Sequence, residues 1–228
     1  MTKRFEIKGF SKYCWITEDE TNIDAYQLLN VDWNRIKPIN DRGMYLSLCA
    51  DDGKHYSRSA RMFKWETIPY FIDLKKKIEA ESVPVFGFED EYMINLDTQK
   101  VWSKRFYQYV GSAHPESGMS VCSLAVHMKT TVKFLSNIVW ETVHQEKLDS
   151  TKFEIRHLDF NALNDKPENL MKLPIEVNSA IKSQYNWYLE HKDQNDWELE
   201  DMFDGIKTYD IPQWKKDMLE ESIINNLI

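Results

Sequence analysis

Glu154-Ile155-Arg156-His157-Leu158-Asp159-Phe160-Asn161-Ala162-Leu163-Asn164-Asp165-Lys166-Pro167-Glu168-Asn169-Leu170, with Asn178 shortly after it, is the stretch on which the reading of this chain turns. A short apolar and β-branched entry runs into His157, and a loop dense in Asn, Asp and Pro follows. Such residues favour loops because their side chains bond nearby backbone or tolerate unusual backbone angles. Helix-forming residues resume after Pro174, so the expected order is strand, looped segment, helix. His157 stands where the strand enters the loop, a place where rigid neighbours can hold a reactive group. Asn178 lies four residues past Pro174, in the first or second helical turn, from which it can face back toward the histidine.

Taken singly, each residue has a plain structural role. A lone histidine is most often a satisfied structural group, and asparagines in loops usually bond their own backbone. The joint spacing is what carries information. On it, the stretch resembles the His-Asn-His (HNH) motif of phage and intron-encoded homing endonucleases, whose ββα-metal fold holds one divalent cation. That family's pattern is a histidine, x-Asp-Gly-Asn, Asn-Asn, x-x-x-Asn-Leu, and an Asn or His on the helix. His157, Asp159, Asn161, Asn164, Asn169, Leu170 and Asn178 fall on it in register. The resemblance implies a single Mg²⁺ or Mn²⁺ ion, with His157 as general base, Asn169 pinning the loop and Asn178 as a metal ligand. Such chemistry is physically coherent: phosphodiester cleavage needs a base near neutral pKa and a cation to stabilise charge on the phosphate oxygens. A hard cation keeps several waters, so few protein ligands suffice.

Two residues depart from the pattern. Arg156 precedes the histidine where the family often has an Asp or His that also binds metal, and a guanidinium has no lone pair for a cation. Phe160 stands where the family usually has Gly, a residue that suits a tight turn. Two functions from different classes follow. One is a phage or mobile-element endonuclease of homing type, with Arg156 gripping a phosphate. The other is an HNH-derived module that has lost cleavage and binds DNA, or a protein of a phage assembly. Because successive strand side chains point to opposite faces, the orientation of Arg156 separates them. Turned into the pocket beside His157, its charge takes the cation's place and the binding function is expected; turned outward, the enzyme is.

Composition sets the frame. With 228 residues, 42% of them hydrophobic, the chain can bury a proper core in one large domain or two small ones. Cys14, Cys49 and Cys122 lie far apart without paired spacing, which suggests neither a disulfide framework nor a zinc knuckle and fits a reducing cytoplasm. The start lacks the apolar core of a signal peptide, and no stretch is long and apolar enough to span a bilayer. From Asn186 onward 11 acidic residues face 4 basic ones, a net of −7, so the first 185 residues carry a net of only −1. A nearly neutral body can bind DNA through a local basic face, with less long-range steering than a basic protein has.

The expected fold class is α+β: tandem small β-rich modules, the second leading into a ββα unit, then an acidic helical tail. Residues 1–82 form the first module, 83–190 the second with the motif at 154–178, and 191–228 the tail. Apolar and polar residues alternate from Met44 to Cys49, and Asp51-Asp52-Gly53 follows, which predicts a β-hairpin. Residues 59–68 and 69–80 have helical composition. Phe86-Gly87-Phe88 answers Gly9-Phe10 about 78 positions on, and Trp-Glu-Thr recurs 75 positions on, at Trp140, which suggests an internal repeat. Both copies resemble the NUMOD-type segments that precede HNH motifs.

Trp102 to Tyr109 interleaves aromatic and basic residues, and reads as a strand on which Lys104 and Arg105 can meet phosphates. In the helix after Pro174, Val177, Ile181, Tyr185 and Leu189 mark the buried face. Asn178, Lys182 and Asn186 form the adjacent stripe, so Lys182, with Lys172 before the helix, is a further candidate for DNA phosphates. The tail mixes its acids with Trp197, Met202, Phe203, Tyr209 and Trp214. Pure solvating tails lack aromatics, so part of it is expected to dock on the body or on a protein partner.

Overall fold

In the computed structural model, residues 2–36, 45–114, 118–127, 129–191, 203 and 206–227 are described. The fold is α+β, built from several small antiparallel sheets and short helices. The chain divides into two units. One comprises Met1–Val83, Asp90–Asn95 and Trp102–Tyr109, the other Pro84–Glu89, Leu96–Val101 and Val110–Ile228. The expected boundaries lay after residues 82 and 190; in the structure, Asp90–Asn95 and Trp102–Tyr109 group with the first unit, and the residues from Val110 on with the second.

In the first unit β1 (Lys3–Glu6), β2 (Tyr13–Thr17) and β3 (Gln27–Asn30) form an antiparallel sheet in that order. The alternating stretch becomes β4 (Tyr45–Cys49), which pairs with β5 (His55–Ser59). Leu46 and Leu48 point into the core while Tyr45 and Ser47 are exposed, as a period of two requires. The turn between them rests on Gly53 at φ 81, a left-handed angle that disfavours a side chain. Helix α1 (Ala60–Thr67) starts directly from β5, where Ser59 Oγ accepts the Met62 N–H at 3.2 Å and caps it. Helix α2 (Pro69–Ala80) opens on a proline, whose missing N–H would have no helical partner there. Trp15, Leu48, Phe63, Trp65 and Ile68 form the centre of the core.

Next come β6 (Val83–Pro84), β7 (Tyr92–Asn95), β8 (Lys100–Ser103) and β9 (Gln108–Val110), in that sheet order. The aromatic and basic run from Trp102 to Tyr109 is therefore not one strand. It is a hairpin: β8 stops at Ser103, whose Oγ accepts the Phe106 N–H at 3.3 Å, and Tyr107 turns the chain at φ 47. Lys104 and Arg105 sit on the turn rather than along a strand face.

In the second unit β10 (Ser112–Ala113), β11 (Ser120–Val126) and β12 (Lys129–Phe134) form an antiparallel sheet that feeds helix α3 (Leu135–His144). The ladder β13 (Phe153–His157) and β14 (Leu170–Pro174) follows, then helix α4 (Ile175–His191), and later helix α5 (Gln213–Leu227).

The layout read twice in the sequence occurs twice. Gly9 and Gly87 have φ of 80 and 74, and the next residues, Phe10 and Phe88, each donate to a carbonyl three back, at Ile7 and Val85, at 2.9 Å. Each unit also has a hairpin running straight into a helix that buries a tryptophan, Trp65 or Trp140. The neighbouring glutamates have diverged. Glu66 is exposed, whereas Glu141 is buried, paired with Lys133 and accepting the Leu148 N–H at 3.0 Å.

Met171, Leu173, Val177 and Ile181 pack with Phe203, Ile206, Leu219 and Ile223. Part of the acidic tail thus belongs to the core around the ββα unit, while its residues 192–202, Trp197 and Met202 among them, lie outside the described residues. Trp214 is exposed. The buried stripe of α4 ends early: Leu189 is exposed, because the helix runs on past the residues that cover Val177 and Ile181. Among the described residues no helix is long and apolar enough to cross a membrane. Ile181 has no exposed surface, so Ile181→Ala is expected to lower stability by about 2–5 kcal/mol in urea denaturation. Trp214→Ala is expected to change it by less than about 0.5 kcal/mol.

Candidate functional site

The motif folds as a ββα unit. Register places His157 opposite Leu170, Arg156 opposite Met171 and Ile155 opposite Lys172. Residues directly opposite share a face, so Arg156 and Met171 look toward α4, while His157, Leu170 and Lys172 look the other way. Lys172 accordingly lies 4.8 Å over Trp140 of α3 and 4.7 Å over Phe153, and bonds Glu146 Oε1 at 2.6 Å. That lysine is engaged in packing α3 against the ladder.

The loop of 158–169 is closed by its own side chains. Asn169 Oδ1 accepts the Asp159 N–H at 2.9 Å, and Asn169 Nδ2 donates to Asp159 Oδ1 at 2.8 Å and to the Asn164 carbonyl at 2.7 Å. Asn164 Nδ2 donates to Asp159 Oδ2 at 2.6 Å, and the Asn161 N–H donates to Asp159 Oδ1 at 2.9 Å. Asn169 is buried, where an amide must find such partners or destabilise the fold. Burial alone would raise the Asp159 carboxyl, but the bonds from Asn164, Asn161 and Asn169, with His157 nearby, outweigh it and hold the carboxyl below its usual range.

His157 is buried and its Nε2 lies 2.8 Å from Oδ1 of Asp165, itself 2% exposed. Facing a carboxylate, which only accepts, Nε2 is the donor of this pair. Asp165 is anchored in turn, its N–H donating to Gln99 Oε1 at 2.9 Å. Its charge acts on Cys122 as well, whose thiol is pushed up to about 11 by burial and by Asp165. Sequence reasoning missed Asp165 and Gln99. Asp165 read as turn chemistry before Lys166-Pro167, and Gln99 stands 66 residues from it with no local signal.

Arg156 is buried, with 7% of its surface exposed, but on the face toward α4 and not in a pocket beside His157, so neither expected orientation describes it. Its Nη1 donates to Asn178 Oδ1 at 3.2 Å, and Asn178 Nδ2 donates to Glu154 Oε2 at 2.8 Å. The guanidinium lies 4.4 Å over the ring of Phe160, which stacks on Tyr185 at 4.0 Å. Burial lowers the Arg156 pKa to about 10, with Tyr185 opposing, so the group stays charged near neutrality. Its Nε and Nη2 are buried without a partner among the described residues. Phe160 holds φ 56, the left-handed angle for which the family's glycine is suited. The two departures from the HNH pattern thus touch each other.

These contacts do not suit a divalent cation. The carboxamide oxygen that would serve as ligand already accepts from a guanidinium, and positive charge sits where a cation would have to enter. Among the described residues no group of three or more His, Cys, Asp or Glu side chains could hold a metal. His157, Asn169 and Asn178 each have their own partners, and no hydrogen bond joins any two of them. Lys182 is exposed on α4, and Arg105 is exposed on its turn in the first unit, 5.2 Å from the Phe106 ring. A hollow of about 240 Å³ beside the loop is lined by Asp159, Asn169, Met218, Glu221 and Ser222, so α5 brings an acidic side chain to the loop's edge.

No protein-family model and no curated protein matches this sequence. A solved structure of the HNH homing endonuclease I-HmuI, described for its DNA binding and cleavage, is similar over 56% of this chain and 66% of that chain, just under two thirds of its length. The identity is 16% and the TM-score 0.37. An overlap of that extent adds nothing to the geometry above.

Because Asp159 is held below the ordinary carboxylate range, its loop contacts add stability above about pH 4 and lose it as pH falls through the lower folded value. Asp159→Asn is expected to flatten that acid limb in denaturation curves taken between about pH 2 and pH 6. An unchanged limb would show that the carboxylate does not hold the loop.

Proposed function

We propose that this chain is a DNA-binding protein of HNH type whose ββα unit meets duplex DNA and leaves it uncut. The partner is suggested by the register of His157, Asn169 and Asn178 on strand, loop and helix, the arrangement of the HNH motif. The same resemblance supports a phage or mobile-element setting. The loss of cleavage rests on one observation, the Arg156 Nη1 bond to Asn178 Oδ1 at 3.2 Å. An inward guanidinium supplies a fixed positive charge in place of an exchangeable cation, and it brings no metal-bound water.

Contact with DNA falls to exposed cations on this unit, Lys182 on α4 and Lys166 in the loop. With a net charge of −8 the whole chain repels a polyanion at long range, so binding is local and sensitive to salt.

The His157–Asp165 pair at 2.8 Å favours a second reading, an endonuclease. With Nε2–H directed at Asp165, Nδ1 is left to take a proton from the water that attacks phosphorus, as the bond from phosphorus to the leaving oxygen breaks. In that reading Asp165 orients the base, and Mg²⁺ or Mn²⁺ would require Arg156 to leave Asn178.

Plasmid relaxation in Mg²⁺ or Mn²⁺, run beside a gel-shift titration with duplex DNA, separates the two. The DNA-binding protein shifts DNA at low salt, and neither wild type nor His157→Ala relaxes the plasmid. Lys182→Ala is expected to weaken binding uniformly across sequences and lower the salt slope by about 1. Relaxation by wild type that His157→Ala abolishes would establish the endonuclease, and no shift at low salt would remove DNA as the partner.

A further inference from the structure

The first unit contains a hollow of about 370 Å³ that the ββα unit does not use. Trp65, Trp102, Tyr107 and Tyr109 form its aromatic wall, with Arg61 and Gln108 also lining it. Trp65 and Tyr107 lie nearly parallel, 22° apart with centroids at 6.1 Å, and Tyr109 stands edge-on to Trp102 at 5.2 Å. Tyr109 is 49% exposed, so one ring of the wall is open to solvent. The aromatic and basic run singled out in the sequence supplies four of these residues, Trp102, Tyr107, Gln108 and Tyr109, bent into a hairpin so that its rings line one hollow.

Beside the rings, the hollow is lined by apolar Ile23, Phe71, Leu74 and Ile78, and its polar groups include the Arg61 guanidinium and the Gln108 amide. Arg61 Nη1 donates to Gln108 Oε1 at 2.8 Å, leaving the Gln108 amide nitrogen as a further donor. Lys75 Nζ lies 4.8 Å over Tyr107, and Arg105 is exposed on the turn that leads to Tyr107. Acids are present too: Glu66 accepts from the Tyr107 hydroxyl at 3.3 Å and pairs with Arg58 at 3.1 Å, so its charge is countered. Glu81 lies near enough to Tyr109 to raise its hydroxyl, after burial.

We propose that this hollow binds one unpaired nucleobase of a single-stranded nucleic acid. A base offers a flat π-face to stack on the exposed Tyr109 ring, and its carbonyl and ring-nitrogen acceptors suit the Gln108 amide nitrogen. The phosphates on either side meet Arg61, Lys75 and Arg105. An aliphatic or lipid chain would fill the space without using the Gln108 amide or the surrounding cations. The site lies wholly in the first unit and does not rest on the reading of the ββα motif.

Fluorescence anisotropy on the full chain tests it, with a labelled oligothymidylate and an abasic oligomer of the same length and charge. The base-bearing strand is expected to bind about tenfold tighter, as stacking of one base would give. Tyr109→Ala and Arg61→Ala, both at exposed positions, should remove most of that preference while circular dichroism stays that of wild type. Equal affinity for the two oligomers, or a full preference in Tyr109→Ala and Arg61→Ala, would overturn the proposal.

Discussion

A guanidinium taken out of water keeps its charge and must be given partners, and the ββα unit is arranged around that requirement at Arg156. Burial lowers its pKa only to about 10, so the charge persists near neutral pH. The structure answers with the Asn178 carboxamide at one end and the Phe160 ring across the face. A cation over an aromatic ring in a desolvated site contributes about 2 kcal/mol, which offsets part of the cost of its unmet donors. Tyr185 extends the stack from α4, so the strand, loop and helix meet through one charged group and two rings.

This arrangement gives the two unusual residues a common explanation. Phe160 adopts a left-handed backbone angle that costs about 1–2 kcal/mol for a residue with a side chain. In return its ring covers the guanidinium, which a glycine cannot do. An acidic residue at position 156 would instead face Asn178 as a second oxygen donor, with no cation for a ring at 160 to cover. The loop itself does not depend on this exchange, because Asn169, Asn164 and Asp159 close it through their own bonds. The loop can therefore keep its shape whatever stands at position 156.

Much of the architecture was legible in the sequence, because it was written in local patterns. Alternation at Tyr45–Cys49 with the Asp-Gly turn gave the hairpin, Ser59 and Pro69 marked two helix starts, and the spacing from His157 to Asn178 gave the ββα order. Residues whose roles depend on distant partners were not legible. Asp165 becomes the partner of His157 only through the folded loop, and Gln99 reaches it from 66 residues away. The run from Trp102 to Tyr109 misled because aromatic and basic interleaving suits a strand, while Ser103 and Tyr107 close a turn within it. The tail's aromatics pointed to docking on the body or on a partner, and Phe203, Ile206, Leu219 and Ile223 do pack with Met171, Leu173, Val177 and Ile181, though which residues would dock was not legible.

In the proposed function a protein guanidinium, that of Arg156, stands in the place of a cation. Titration of the full chain with Mn²⁺, following free ion by electron paramagnetic resonance, tests it most directly. The account predicts no stoichiometric site in wild type, and a site in the Arg156→Asp variant that is lost when Asn178→Ala is added. A stoichiometric Mn²⁺ site in wild type that Asn178→Ala abolishes would contradict it.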